Sequence, residues 1–317
     1  MDLSIVIPVF DEEDNVAPLI GEIKAAVEPL GRQYEMVFID DGSRDNTFRV
    51  LAQMYRTEPN LRVIRLKRNF GQTAALAAGL AHAQGEVVVM IDGDSQNDPA
   101  DIPALLTELE QGYDLVCGWR HVRQDPFLSR RLPSMIANWL ISSTTQVKLH
   151  DYGCTLKAMR KDIAKDLKLY GEMHRFIPAI AYERGATIAE LKVNHRPRVR
   201  GKSKYGITRS MRVVLDLLTV KFLMSYSTRP SHIFGIIGIG SAGLGFLMGI
   251  YLTVQKFLYN MEIGGRPLLL LVVLLIFTGC QFVTMGLLGE MLSRTYHESQ
   301  DKATFVIGEI LGERNCT

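Results

Sequence analysis

The chain has 317 residues, a formal net charge of +2 and a hydrophobic fraction of 47%. This length allows one or two domains with a buried core, and a charge so close to zero excludes a chain that is basic or acidic throughout. No signal peptide is expected, because the apolar run Leu3 to Phe10 is short and acidic residues follow it at once. The cysteines form no CxxC pair, which argues against a zinc site or a disulfide framework and fits a reducing compartment; they are Cys117, Cys154, Cys280 and Cys316.

Strands and helices are predicted to alternate through residues 1–120. Apolar runs predict five strands, at Leu3–Phe10, Tyr34–Ile39, Leu61–Leu66, Val87–Ile91 and Tyr113–Cys117. Helical spacing and capping residues predict the intervening helices, from Asp14 or Asn15 to about Leu30, from about Asn46, from Gly71 to Ala83, and from about Pro99. This alternation predicts a parallel, three-layer α/β domain with right-handed crossover connections.

Acidic residues stand at the ends of three predicted strands. They are Asp11, Glu12 and Glu13 after the first, Asp40 and Asp41 after the second, and Asp92 and Asp94 after the fourth. Ligands of parallel α/β sheets bind beyond the carboxyl ends of the strands, so these acids are expected to line one cleft. Each carboxylate there needs a cation or a hydrogen-bond donor, such as a ribose hydroxyl.

The pair Asp92 and Asp94 is the candidate metal site. Hard oxygen ligands at this spacing suit Mg²⁺ or Mn²⁺ held together with a substrate diphosphate, and Gln96 offers a neutral oxygen. A surface turn is the alternative interpretation, because Asp-Gly is a common turn pair.

Two other nucleotide-binding motifs fail on their context. The match to Gly-x-Gly-x-x-Gly at Gly238, Gly240 and Gly243 follows no strand and lies in an apolar segment, where small residues permit close helix packing. The run Gly201-Lys202-Ser203 lacks the preceding strand and the upstream glycine that a phosphate-binding loop requires.

Two uncharged segments predict a membrane hairpin. Residues 233–255 and 267–289 contain no charged side chain, and each has 23 residues, enough to cross a hydrocarbon core of about 30 Å as a helix. A buried helix pair in a soluble core is the alternative. The predicted division is an N-terminal α/β domain at 1–208, an amphipathic interfacial helix at 209–230, two transmembrane helices within 231–290, and a tail at 291–317.

Basic residues before the hairpin set its predicted orientation. Eight lysines and arginines and no acids lie between Leu191 and Leu215, namely Lys192, Arg196, Arg198, Arg200, Lys202, Lys204, Arg209 and Arg212. Basic residues near a spanning helix stay cytoplasmic and attract anionic lipid headgroups, so the domain and the tail are expected on the cytoplasmic side of the cell inner membrane. This segment is interpreted as a lipid-phosphate funnel, a membrane-surface patch or solvated charge. Nucleic acid is not an expected partner, because no recognition helix or stacking motif accompanies the charge.

Further elements are predicted outside the first 120 residues. Pro133–Val147 is an amphipathic interfacial helix or a core-facing one, and Arg209–Tyr226 is a second membrane-surface element. Asp151–Cys154 is a loop with a buried acid, and Glu172–Arg175 begins a helix. Ala303–Ile307 is a strand that adds to a sheet edge, with a neighbouring subunit as one candidate.

Taken together, these motifs resemble the family 2 glycosyltransferases with the GT-A fold. The resemblance is carried by Pro8–Glu13, Asp40–Ser43, Asp92–Gln96, Arg120, Arg131, Asp151–Cys154 and Arg198–Tyr205, followed by the hairpin. Their order and spacing look like the polyprenyl-phosphate glycosyltransferases, a group that includes dolichyl-phosphate mannose synthases and undecaprenyl-phosphate glucosyl- and aminoarabinose-transferases. The resemblance implies a GT-A (nucleotide-diphospho-sugar transferase) catalytic domain at 1–208, a C-terminal two-helix hairpin, and a homo-oligomer, commonly a tetramer.

The resemblance also implies residue roles. The nucleotide-sugar is expected at Pro8, Phe10, Glu12, Ile39, Asp41, Asp92, Gly93, Arg120, Arg198 and Lys204. The metal, Mg²⁺ or Mn²⁺, is expected at Asp92, Asp94 and Gln96, and the lipid phosphate at Arg131, Arg198, Lys202 and Ser203. The expected catalytic residues are Asp94, Asp151, Arg120 and Arg131.

The implied reaction moves one sugar from a nucleotide-sugar, UDP-linked by resemblance, to polyprenyl (undecaprenyl) phosphate, with inversion at the anomeric carbon. The leaving diphosphate needs charge neutralisation, which a divalent ion and arginines supply. The acceptor phosphate is already ionised at pH 7, so a strong general base is unnecessary. Asp151 or Asp94 is expected to orient or deprotonate the acceptor, and for Asp151 a structural loop cap is the alternative.

Two other functions stay open at this point. A processive polysaccharide synthase would carry Gln-x-x-Arg-Trp, which precedes neither Trp119 nor Trp139. A catalytically inactive sugar-nucleotide-binding membrane scaffold is opposed by the intact set of acids. The sugar is also open, because Asp151–Cys154 resembles the aminoarabinose branch whereas Glu172–Phe176 and His195–Pro197 resemble hexose-transferring members.

Overall fold

The computed structural model describes residues 1–121, 147–169, 173–197, 230–259, 267–299 and 305–312. The chain divides into two units, Met1–Leu217 with Ala303–Thr317, and Leu218–Lys302. The predicted interfacial elements at 133–147 and 209–226 lie outside the described ranges, apart from Val147.

The first unit is an α/β domain built on a single sheet. Its strands are β1 (Leu3–Val9), β2 (Tyr34–Asp40), β3 (Leu61–Leu66), β4 (Val87–Met90), β5 (Leu115–Arg120), β6 (Lys157–Arg160), β7 (Ile188–Val193) and β8 (Ile307–Leu311). Its helices are α1 (Glu13–Val27), α2 (Thr47–Tyr55), α3 (Gln72–His82), α4 (Ile102–Glu110), α5 (Lys161–Asp166) and α6 (Ile177–Glu183). Short 3-10 turns lie at Glu28–Leu30, Pro99–Asp101 and Met173–Phe176.

The strand order is β7-β5-β6-β4-β1-β2-β3-β8. The predicted α/β class is confirmed and the first four predicted strands form a parallel set, but the prediction of a wholly parallel sheet is wrong. Strand β6 lies antiparallel between β4 and β5, and β8 lies antiparallel against β3. The sequence of β6, Lys-Ala-Met-Arg, has no apolar run to signal a strand, so only its neighbours reveal it.

Helices cover both faces of the sheet, which confirms the three layers. On one face, α1, α2 and α4 bury apolar side chains such as Leu19, Leu51 and Leu105 against the sheet, and each such burial stabilises the fold by about 1.5–3 kcal/mol. On the other face, α3 approaches β1 and β2 at Gly79. A Cβ at that position would lie 2.7 Å from a side-chain carbon of Ile39, so the close contact of α3 with the sheet requires glycine.

The C-terminal strand β8 returns to the sheet of its own chain. Ile310 lies opposite Ile64 and Leu311 lies opposite Val63 of β3. The strand predicted at Ala303–Ile307 therefore begins later, at Ile307, and the sheet edge that it joins belongs to the same chain.

The second unit contains two long apolar helices, α7 (Pro230–Tyr259) and α8 (Pro267–Ser299). The segments Phe234–Tyr259 and Pro267–Gly289 are long and apolar enough to cross a membrane. In the most apolar 18-residue stretch of each helix, only 17% and 11% is buried. A helix pair in a soluble core would be mostly buried. The exposed apolar surface therefore fits a lipid environment and is typical of a membrane protein.

The two helices cross at a pair of glycines. A Cβ on Gly238 would lie 2.7 Å from the carbonyl oxygen of Gly279, and a Cβ on Gly279 would lie 2.6 Å from that of Gly238. Added Cβ atoms on Gly240 and Gly243 would meet nothing within 4 Å. The prediction that these glycines permit close packing is thus right for Gly238 and wrong for the other two.

Candidate active site

The loops that follow β4, β1 and β2 lie side by side at one edge of the sheet, because these strands are parallel neighbours. The three acidic loops therefore lie together at this edge, as expected. Two non-glycine residues of the described chain have positive φ, Asp11 (50°) and Ser95 (58°), and both lie in these loops. Backbone strain of this kind concentrates at functional sites.

Several of the acids join the loops to one another. The Asp11 carboxylate accepts the N–H of Arg44 at 2.7 Å, and Glu13 accepts the N–H of Asn46 at 2.9 Å. Asp40 is fully buried; it accepts the N–H of Ser43 at 2.9 Å and lies 3.5 Å from Arg65. Burial raises the pKa of Asp40.

Several residues predicted to bind the nucleotide lie at the carboxyl ends of β1 and β2. Asp41 accepts the N–H groups of Phe70 and Gly71 at 2.7 and 2.9 Å, which fixes the beginning of α3. Burial raises the pKa of Asp41. The side chain of Ile39 packs against Gly79, and its main chain lies within the sheet, opposite Pro8 of β1 and Ile64 of β3. Pro8 is buried and Phe10 is half-buried.

Glu12, the remaining predicted nucleotide ligand of the first loop, is fixed by hydrogen bonds with two neighbouring residues. Its carboxylate accepts the side-chain amide of Asn15 at 2.6 Å. Its main-chain N–H donates to the hydroxyl of Thr47 at 2.8 Å, which ties the first loop to the start of α2.

Gly93 lets the metal-candidate loop lie directly on β1. A Cβ at Gly93 would lie 3.0 Å from the carbonyl oxygen of Pro8 and would overlap Val9. The next turn bends back at Ser95, and Asp94 accepts the N–H of Gln96 at 3.2 Å. The glycine and the bend bring the two carboxylates to the same corner of the cleft.

Asp92 is fixed by two side chains that the sequence did not single out. Its two oxygens accept the Gln72 amide and the Thr155 hydroxyl, each at 2.7 Å. Burial, and then the charge of Asp94, raises the pKa of Asp92 to about 6. A cation between the two carboxylates would relieve this repulsion.

The donor set at this corner fits Mg²⁺ or Mn²⁺. Two carboxylates and the Gln96 oxygen are hard ligands of the type that these ions prefer, with substrate phosphates completing the shell. No group of three His, Cys, Asp or Glu able to hold a metal occurs among the residues that the structure describes.

Arg120, the last residue of β5, is paired with Asp151. Nε and Nη2 of Arg120 donate to the two carboxylate oxygens at 2.7 and 2.9 Å, and the buried Asp151 also accepts the N–H of Gly153. Burial would lower the pKa of Arg120, but the hydrogen bond and charge of Asp151 raise it overall. The arginine also lies close enough to Asp92 to lower the pKa of that carboxyl. The predicted loop with a buried acid is confirmed.

Glu190 on β7 holds the loop that carries Asp151. Its carboxylate accepts the N–H groups of His150 and Asp151 at 2.8 and 3.0 Å and the His150 ring at 2.7 Å. The His150 ring stacks on Trp119 with ring centres 4.2 Å apart. Sequence reasoning missed Glu190, because its strand lies about forty residues from the loop that it holds.

The loop that follows Asp94 is anchored by the segment after β7. The N–H of Arg196 donates to the carbonyl oxygen of Gln96 at 2.8 Å. The Arg196 guanidinium lies 2.7 Å from both Glu22 and Asp98. The remaining predicted site residues lie outside the described ranges; they are Arg131, Arg198, Lys202, Ser203 and Lys204.

This architecture is the GT-A fold of nucleotide-diphospho-sugar transferases. Glucosyl-3-phosphoglycerate synthase from Mycobacterium tuberculosis, crystallised with Mn²⁺ and UDP-glucose, is similar with a TM-score of 0.55 and 20% identity, over 69% of this chain and 78% of that one. The crystal structure of the same enzyme with Mg²⁺ and UDP gives a TM-score of 0.54 over 69% and 79%.

Residues 4–168 match the family model described as glycosyl transferase family 2. The chain belongs to this family and is a glycosyltransferase. Dodecaprenyl-phosphate galacturonate synthase of Rhizobium johnstonii is 44% identical over 99% of this chain and 94% of the relative. Undecaprenyl-phosphate 4-deoxy-4-formamido-L-arabinose transferase of Shewanella sediminis is 38% identical over 98% of this chain and 92% of the relative.

Proposed function

We propose that this protein transfers one sugar from a nucleotide-sugar, with UDP favoured, to a polyprenyl phosphate, giving a lipid-linked sugar donor for cell-envelope glycan or lipid modification. One observation carries the proposal: the pair Asp92 and Asp94 is fixed beside Arg120 in a chain that also contains an apolar helical hairpin. The named relatives, which match nearly the whole chain, support it because both are polyprenyl-phosphate sugar transferases by name.

Asp92, Asp94 and Gln96 would hold Mg²⁺ or Mn²⁺ together with the donor diphosphate. When bound, the ion supplies positive charge for the leaving nucleoside diphosphate. Gln72 and Thr155 hold Asp92 in place, and the bend at Ser95 presents Asp94. We assign Pro8, Phe10, Glu12, Ile39, Asp41 and Gly93 to the nucleotide side of the same cleft.

Arg120 is assigned to the phosphate groups, and Asp151 to the orientation of Arg120. Because the buried Asp151 carboxylate already accepts hydrogen bonds from Arg120 and Gly153, it is poorly placed to take a proton from an acceptor. A lipid phosphate needs no base, and direct attack gives inversion at the anomeric carbon. Asp94 is the carboxylate that remains to orient the acceptor.

The basic segment is assigned to the lipid acceptor. Arg131, Arg198, Lys202 and Ser203 would bind its phosphate and Lys204 would contact the nucleotide, with the interfacial helix at 209–230 close to the membrane surface. The domain and the tail at 291–317 would face the cytoplasm at the inner membrane. Protease digestion of inside-out vesicles, but not of right-side-out vesicles, should remove the domain.

We infer a homo-oligomer, with a tetramer favoured from the family resemblance. Light scattering of the purified protein in detergent, corrected for bound detergent, measures the subunit number. A monomer at concentrations that support full activity would refute this assignment.

The test uses the purified full chain in detergent with undecaprenyl phosphate, Mg²⁺ or Mn²⁺, and a panel of UDP- and GDP-sugars. Mass spectrometry follows the lipid-linked products. A product with a single sugar that disappears with EDTA and falls at least about 100-fold in Asp94→Ala would support the proposal. The matched control is Asp166→Ala, an exposed carboxylate that pairs with Arg184 away from this loop.

The other outcomes separate the two alternative functions. A ladder of longer products would indicate a processive polysaccharide synthase. Nucleotide binding without turnover of any donor would indicate a catalytically inactive scaffold. The sugars that the names of the two relatives mention differ in charge: one is a uronate and the other a neutral formamido-pentose. The donor panel therefore has to include both kinds.

A further inference from the structure

Arg196 belongs to the basic segment before the hairpin, but two acids of the domain take up its charge. Its Nη1 lies 2.7 Å from the Glu22 carboxylate, and its Nη2 lies 2.7 Å from the Asp98 carboxylate. Glu22 is on α1, the helix that follows the first acidic loop, and Asp98 follows Asp94 and Gln96 in the next loop but one along the sheet edge. One guanidinium therefore joins α1, this loop and the segment after β7.

The main chain at Arg196 is paired with the same loop. The N–H of Arg196 donates to the carbonyl oxygen of Gln96 at 2.8 Å. One residue earlier, His195 forms an antiparallel bridge with Asn97, which is buried. The segment after β7 therefore lies directly against the part of the loop that supplies Gln96, whose side-chain oxygen is the neutral candidate ligand of the metal.

The metal-candidate loop, residues 92–98, needs support at the end where Arg196 meets it. At its start, Asp92 accepts two side-chain hydrogen bonds of 2.7 Å each. In its middle, the chain turns at Ser95 with a φ of 58°. A strained bend of this kind persists only where its surroundings hold it. Beyond the bend, the ion pair of Asp98 with Arg196 supplies such a hold.

We propose that Arg196 is a positioning residue of the metal site: by holding Asp98, it fixes the end of the metal-candidate loop and with it the direction of Gln96. The inference rests on the proposed transfer from a nucleotide-sugar with a divalent ion, and it adds a residue that touches neither the ion nor the substrate. Removal of a side chain that orients metal ligands from outside typically weakens metal binding about 10- to 100-fold.

Global stability is a minor part of this role. The side chains of Arg196 and Glu22 are 37% and 39% exposed, and ion pairs at such exposure contribute little to the free energy of unfolding. Substitution of Arg196 also leaves its main-chain N–H in place, together with the hydrogen bond to Gln96. What is lost is the link between the loop and α1, so the effect falls on the conformational order of the loop.

The test measures Mn²⁺ binding to the full chain in detergent, with UDP and, separately, with GDP, from the electron paramagnetic resonance signal of free Mn²⁺. Arg196→Gln should weaken Mn²⁺ binding about 10-fold. Arg196→Lys, whose ammonium can still pair with Asp98, should recover most of the affinity. Arg184→Gln is the matched control, because Arg184 has a similar exposure and pairs with Asp166 away from this loop.

Two further measurements separate positioning from general destabilisation. In the metal-free protein, Arg196→Gln should make the amides of residues 92–98 exchange hydrogen faster, while β1 and β2 keep their protection. Asp98→Asn should weaken Mn²⁺ binding as much as Arg196→Gln does, and the double variant should lose no more than either one, because both remove the same pair. If Arg196→Gln does not fold, as judged by thermal unfolding, Asp98→Asn takes its place.

Three results decide the matter. Mn²⁺ binding that Arg196→Gln weakens and Arg196→Lys recovers supports the inference. Unchanged Mn²⁺ binding in a folded Arg196→Gln, or hydrogen exchange that rises equally throughout the domain, overturns it while the proposed function stands. A wild type that binds no Mn²⁺ with either nucleotide overturns the metal site of the proposed function, and this inference with it.

Discussion

Arg120 and Asp151 form a two-point ion pair, with Nε 2.7 Å from Oδ2 and Nη2 2.9 Å from Oδ1. The carboxylate also accepts the main-chain N–H of Arg120 at 3.3 Å and that of Gly153 at 3.1 Å. A carboxylate has about four acceptor positions, and these four hydrogen bonds fill them. Asp151 therefore positions Arg120, and Glu190 fixes the loop that carries Asp151.

Asp151→Asn tests this positioning role. An amide in place of one oxygen turns a donor toward the guanidinium, so we expect a loss of about 3–5 kcal/mol of stability, as for other broken buried pairs. Turnover should fall about 10- to 100-fold, with the shape of the pH–rate profile unchanged. Loss of the acidic limb of that profile would instead show that Asp151 is the base. Asp166→Asn, at an exposed ion pair, is the control and should change little.

Asp40 and Asp114 should give opposite pH dependences of stability. Burial raises the pKa of Asp40 above its ordinary value of 3.8, so the folded state loses stability as pH rises from that value through the raised one. The hydrogen bond from the N–H of Thr187 lowers the pKa of Asp114. Its stabilising contribution is present above the ordinary value and is lost as pH falls through the lowered one.

Thermal unfolding across the acid range measures both effects. The stability difference between wild type and Asp40→Asn should decrease as pH rises, and the difference for Asp114→Asn should increase. Parallel curves for the two variants would contradict the assignment of the two shifts. Unfolding is measured without added metal, so that metal binding at Asp92 and Asp94 does not change with pH.

Ile310→Pro tests the attachment of the C-terminal strand to its own chain. Proline removes one main-chain donor from the edge strand opposite Ile64. The amides of β3 should then exchange hydrogen faster in mass-spectrometric exchange, with little change in Glu309→Gln. The oligomer should keep its size; an oligomer that dissociates would show that the strand bridges subunits in solution.

Gly279→Leu tests the helix crossing in the apolar hairpin. The new side chain would meet the main chain of α7, which cannot move aside as a flexible side chain does. The helices must then separate, and overpacking of this kind costs about 1–3 kcal/mol. Thermal unfolding in mild detergent should show the loss. Gly240→Leu is the matched control, because nothing lies within 4 Å of a Cβ there; an equal loss in both variants would refute the crossing.

Local patterns were enough to predict much of this protein. The apolar runs placed β1 to β4 within one or two residues, and the predicted β5 began two residues early. The Asp-x-Asp pair fell at the predicted sheet edge, and the uncharged segments became the hairpin helices. These predictions succeeded because strand periodicity, strand-end loops and spanning length depend on residues close together in the chain.

The hydrogen-bond and ion-pair partners of the site residues could not be predicted from local sequence patterns. The sequence marked Asp92 but not Thr155, which lies 63 residues away, and marked Arg120 and Asp151 without showing that they pair. It gave Ile39 a nucleotide-binding role without showing that its side chain packs against α3. These contacts arise only when the antiparallel β6 enters between β4 and β5, and a short charged strand carries no periodic signal of its own.

The sequence by itself determined the class of fold, the acidic edge and the apolar helical hairpin, since each depends on patterns within a few tens of residues. Tertiary structure alone decided that Asp151 orients Arg120 and that β8 returns to β3. It also decided that Arg196 pairs with Asp98 of the metal-candidate loop. The physical reason is the same in each case: burial and charge pairing depend on which distant segments the sheet brings into contact.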